Sequence, residues 1–145
     1  MDNIKLELWE GKFPEIINLN KNSIVALKEK LCNSFSKKND IICNKFYENI
    51  YIFEKVVGHI DNIDLFKIFQ NCDNSLTIDD FIYLDWGNLE EIVQVNLNDF
   101  IVNIDNFWYP SSDDLSIFNQ NCNWILNIHH YGAIGCVQPK KQGLG

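Results

Sequence analysis

From Asn22 to Lys37 the apolar residues return every three or four positions, with Ile24, Leu27, Leu31 and Phe35 on one stripe. That period predicts a helix over this stretch, with Asn22-Ser23 as its N-cap pair and Lys37-Lys38 placed to suit the C-terminal dipole. The same period continues from Asp40 to about Val57 through Ile42, Phe46, Ile50, Phe53 and Val57, with Asp40 as cap and Gly58 as terminator. A strand over Asn49 to Phe53 competes there, because Ile-Tyr-Ile-Phe favours extended chain. A short third helix is predicted from Asp61 to Phe69. Upstream, residues 3 to 13 read as extended or irregular, with Leu6 and Leu8 alternating with acids before Gly11 and Pro14.

From Leu76 the pattern changes toward a period of two. Strands are predicted over Phe81 to Trp86, closed by the turn Asp85-Trp86-Gly87-Asn88, and over Glu91 to Asn96, with Val93 and Val95 on one face. Asn98-Asp99 opens a short helix through Asn106 that buries Phe100, Ile101 and Ile104. Three strands follow the Pro110 break, over Leu115 to Asn119, Trp124 to His129 and Ala133 to Val137. Their short connections predict an antiparallel meander. The expected fold class is α+β, with N-terminal helices packed on a mostly antiparallel C-terminal sheet that carries one inserted helix. No repeat, linker or boundary divides the chain. It reads as a single domain over residues 1 to 145, mainly helical to residue 75, sheet-rich from 76 to 137, with a frayed tail from 138 to 145.

Charge changes this picture more than composition does. Residues 1 to 60 carry nine lysines against eight acids, whereas residues 61 to 139 carry twelve acids and one lysine, Lys67, a net of −11. So one-sided a segment costs stability through self-repulsion and is a candidate docking face for a basic partner. The same field repels nucleic acid. The chain has no arginine, so the bidentate phosphate fork is missing. Its richness in Asn and Ile is what an AT-rich genome produces. No run of 18 apolar residues exists, which leaves no helical membrane span, and the N-terminus lacks an apolar signal core. Cys32, Cys43, Cys72, Cys122 and Cys136 show no Cys-x-x-Cys spacing. They read as buried thiols in a reducing cytoplasm.

Candidate chemistry gathers late in the chain. Asp113-Asp114 lies between a proline turn and a strand, where paired carboxylates can take a metal with waters, share a raised pKa, or cap the turn. His129 and His130 are adjacent, so on an ideal strand they point to opposite faces and cannot share one ion. A metal site then needs one of them to meet Asp113, Asp114 or Cys136 across the sheet. His59, beside Gly58, reads as a charge partner for a helix C-terminus. No serine or cysteine sits in a nucleophile signature and no glycine-rich phosphate loop exists, so nothing calls for an enzyme or a cofactor. Among the aromatics, Trp86 and Tyr109 are expected to be partly exposed beside acids, as anchors in a protein-binding surface are.

The run Trp108-Tyr109-Pro110-Ser111-Ser112-Asp113-Asp114-Leu115-Ser116-Ile117-Phe118, followed by Asn123-Trp124-Ile125-Leu126-Asn127-Ile128-His129-His130, resembles bacterial immunity proteins of polymorphic-toxin and contact-dependent growth inhibition loci. The resemblance covers roughly residues 80 to 137. It implies a small, acidic, cytoplasmic, cofactor-free protein that binds a cognate toxin domain, often a basic nuclease, and blocks its active site. The residues expected to bind that partner are Asp79, Asp80, Asp85, Trp86, Glu90, Glu91, Tyr109, Asp113 and Asp114. The alternative is a small cytoplasmic metal-binding protein or hydrolase that uses Asp113, Asp114 and His129. A structural subunit or adaptor with the same charged surface is the third.

Overall fold

The computed structural model describes residues 15–35, 56–59, 64–87, 89–109, 114–130 and 132–137. In chain order these form β1 (Ile16–Asn18), α1 (Lys21–Phe35), β2 (Val56–His59), α2 (Leu65–Cys72), β3 (Phe81–Asp85), β4 (Ile92–Asn96), α3 (Leu97–Val102), α4 (Ile104–Phe107), β5 (Leu115–Phe118), β6 (Ile125–Ile128) and β7 (Ala133–Val137). The strands make one seven-stranded sheet in the order β1-β4-β3-β5-β6-β7-β2, and every neighbouring pair is antiparallel. The α+β class and the β5-β6-β7 meander are as expected. Residues 3–13, 36–55 and 138–145 lie outside the described residues, and with them the extended N-terminal stretch, the predicted helix from Asp40, the competing strand at Asn49–Phe53 and the tail.

The period-two pattern becomes two cores. On one face Ile82, Leu84, Val93, Val95, Leu115, Ile117, Leu126 and Ile128 pack against Leu65, Ile68 and Phe69 of α2 and Phe100 and Phe107 of α3 and α4. The alternate residues Tyr83, Ile92, Phe118 and Ile125 face Ile24, Leu27, Leu31 and Cys32 of α1. A strand buried on both faces reads as nearly continuous apolar sequence, which is why Leu-Ser-Ile-Phe and Ile-Leu-Asn-Ile show little alternation.

Helix ends are set by caps the apolar stripe does not reveal. Asn20, two residues before the expected pair, accepts the Ser23 N–H at 2.8 Å, so α1 starts at Lys21. Asp64 accepts the Lys67 N–H and starts α2, which runs to Cys72 rather than Phe69. Asn96 caps α3 by accepting from Asp99, and a turn at Asn103 splits the single helix expected through Asn106 into α3 and α4.

Two expectations are corrected. Val56–His59 is a strand: Val56 pairs with Gly135 and His59 with Ala133, with a register shift between Val56 and Gly58. Gly58 therefore lies inside β2 and ends no helix, and His59 is no helix-end charge partner. The β-branched Val56-Val57 finds a ladder partner some eighty residues later, which a local period cannot show. The second correction concerns the cysteines. Cys72 of α2 and Cys136 of β7 are joined as a disulfide across a sequence separation of 64, with Cα atoms 6.2 Å apart. Cys32 and Cys122 are buried, as expected, and burial pushes the Cys122 thiol up to about 11 despite the opposing pull of Lys30.

Candidate functional site

The antiparallel register sorts the polar residues to the two ends of the sheet. Asp85 pairs with Ser116 and Leu115 pairs with Ile128. The end of β3, the start of β5 and the end of β6 therefore lie side by side, and they carry the Trp86–Glu91 turn, Asp114, His129 and His130. His59, paired with Ala133, ends β2 at the same edge, so all three histidines of the chain mark one end of the sheet. The Trp86 indole N–H donates to the Phe107 carbonyl at 2.8 Å and ties the end of α4 to this end as well.

At its centre Asp114 Oδ1 accepts the His130 backbone N–H at 2.8 Å and lies 2.9 Å from His130 Nδ1 and 4.0 Å from His129 Nε2. The imidazole rings stack with centroids 3.9 Å apart and planes tilted by 34°. All three side chains are half-buried, and their ligating atoms lie within 4.8 Å of one another. The expectation that the two histidines face opposite ways fails here. β6 ends at Ile128, and the chain then enters a tight turn in which His129 N–H donates to Ala133 O and Gly132 N–H to His129 O. Strand alternation no longer applies beyond the last ladder residue. Burial lowers the His129 pKa and the neighbouring His130 lowers it further, against the opposing pull of Asp114.

The nine residues expected to contact a partner separate. Glu90 and Glu91 are exposed at the histidine end, with Trp86, Tyr109 and Asp114 half-buried. Asp79 and Asp80 are exposed at the opposite end of β3, where the Asp80 carboxylate accepts the Thr77 N–H at 2.8 Å. Asp113 lies outside the described residues, together with Pro110, Ser111 and Ser112.

Asp85 is a correction. It is 1 % exposed and cannot meet a partner. Its carboxylate turns inward to accept the N–H groups of Gly87 and Leu89, and these bonds hold Leu89 at a left-handed φ of 60°. Burial raises its pKa to about 8, although the Gly87 and Leu89 N–H groups and Lys28 pull it down. The register carries this polar position across the sheet to Ser116 and then Asn127, both buried, with the Ser116 hydroxyl donating to Asn127 Oδ1 at 2.8 Å. Sequence reasoning passed over this row, although Ser116 and Asn127 are the polar interruptions of two otherwise apolar strands.

The far end of the sheet has a polar cleft of about 340 Å³ lined by Gln70, Asn71, Asp73, Asn74, Asn123 and Trp124. Burial alone raises the Asp73 pKa, but hydrogen bonds from Ser75 and the Trp124 indole outweigh it and the pKa is lowered. Asp73 is thereby committed to joining α2 to the start of β6.

Comparison with protein-family models, curated proteins and solved structures finds no match. Among the described residues no helix is long and apolar enough to cross a membrane.

Proposed function

We propose that this chain is a protein-binding module of the immunity class, which holds a basic toxin domain, a nuclease being the best fit, against an acidic surface and blocks its active site. The observation that carries this reading is the placing of exposed Glu90 and Glu91 beside half-buried Trp86 and Asp114 at one end of the sheet, within a segment of net charge −11. Complementary charge of this kind raises association toward roughly 10⁸–10⁹ M⁻¹s⁻¹ at low salt, which suits rapid neutralisation. The half-buried aromatics supply rigid contact area at little entropic cost. Asp79 and Asp80 add to the long-range field from the other end. The reading assigns no catalytic residue and no nucleic-acid contact, and it goes with a cytoplasmic location. This reading does not depend on the Cys72–Cys136 link, because the apolar core already packs α2 on the sheet.

The test pairs the purified protein with the toxin domain encoded beside it. Stopped-flow association is expected to slow by tenfold or more between about 20 and 500 mM salt, and the double variant Glu90→Lys, Glu91→Lys to slow it further at low salt. An association rate indifferent to both salt and the charge reversal would remove the acidic face from the mechanism.

A further inference from the structure

We infer that Asp114, His129 and His130 form a binding site for one divalent transition-metal ion of the zinc class. Two imidazoles and a carboxylate are the donors such an ion selects, whereas calcium and magnesium prefer all-oxygen sets. The site is made from two chain segments that the β5–β6 pairing brings together, and it lies beyond the last ladder residues, Leu115 and Ile128.

The distances fit an ion at the centre. A tetrahedral ion with bonds of about 2.0–2.1 Å keeps its ligand atoms roughly 3.4 Å apart. His130 Nδ1 and Asp114 Oδ1 stand at 2.9 Å and His129 Nε2 and Asp114 Oδ1 at 4.0 Å, one slightly closer and one slightly wider than that spacing. The 2.9 Å contact is a hydrogen bond, so an ion takes the place of its proton, and all three ligand atoms lie within 4.8 Å of one another. The group is also held in place: the His130 backbone N–H bonds Asp114 Oδ1, and the His129 backbone is fixed on both sides by the turn to Ala133. Side-chain exposures of 17 % for His129, 29 % for His130 and 33 % for Asp114 leave an entry path from solvent. The three ligands found among the described residues leave a fourth position for water or a further donor.

The test uses full-length protein stripped with a chelator and titrated with Zn²⁺ alone by calorimetry, with Co²⁺ as a spectroscopic probe in a second series. One ion per chain is expected, and with Co²⁺ a visible absorption band. His129→Ala, His130→Ala and Asp114→Asn are each expected to weaken binding by about tenfold or more, the minimum for losing a direct ligand. Asp114→Asn keeps an oxygen acceptor for the His130 N–H, and urea midpoints identify any variant that lost affinity by unfolding. Should one variant unfold, the other two decide. No Zn²⁺ bound by the wild type, or binding that survives all three substitutions and disappears on thiol alkylation, overturns the assignment.

Discussion

Asp85 shows how far one side chain can depart from its sequence neighbourhood. Asp-Trp-Gly-Asn has the composition of an exposed hairpin turn, and its aspartate counted toward the acidic surface. In the fold the carboxyl group is the internal brace of that turn, accepting the Gly87 N–H and the buried Leu89 N–H. Its pKa, raised to about 8 from an ordinary 3.8, fixes the sign of its pH effect. A carboxyl more easily protonated folded than unfolded contributes stability that is complete below about pH 4 and is lost as the pH rises through 8. The urea midpoint of the wild type is therefore expected to fall between about pH 4 and 8 more steeply than that of Asp85→Asn, which keeps an acceptor and carries no charge. Parallel pH profiles for the two proteins would mean that Asp85 folds as a carboxylate.

At the scale of elements, β5 and β6 are the pair on which the candidate site depends. Their register places Ser116 opposite Asn127, and the Asn127 side-chain amide Nδ2 is buried with no hydrogen-bond partner among the described residues. Removing the Ser116 hydroxyl strands the Asn127 oxygen too. Ser116→Val and Asn127→Val are each expected to lower unfolding free energy by about 1–3 kcal/mol, whereas the double valine variant is expected to cost less than either single change. Denaturant unfolding of the four proteins in this double-mutant cycle measures the difference, and strictly additive losses would show that the pair is uncoupled. The same two strands explain why the histidine cluster was only partly legible. Asp114 and His129 stood together in the metal-binding alternative, but His130 was placed on the opposite face by a rule that holds only while the strand lasts. The first helix was clearer. The Ile24, Leu27 and Leu31 stripe located α1 well, while its start depended on whether Asn20 or Asn22 took the cap, a choice made by local backbone geometry.

For the whole molecule, charge acts in two opposite directions. A formal net of −8, with −11 concentrated in residues 61 to 139 when the buried Asp85 is counted, opposes the compact state and attracts a basic partner. Salt screens both, with a Debye length of about 10 Å at 0.1 M. Raising sodium chloride from about 20 to 200 mM is expected to raise the urea midpoint of the free protein while slowing its association with the toxin domain. A midpoint that does not move would show that the acids are locally compensated in the fold. The sequence by itself determined the charge map, the strand period beyond residue 76, and the meander, because each depends on residues close together along the chain. Only the tertiary structure decided the sheet order, the joining of Val56–His59 to β7, the inward turn of Asp85 and the meeting of Asp114 with both histidines. Those depend on partners that are distant in sequence, and on where a ladder stops, which pairing between strands sets and local periodicity does not record.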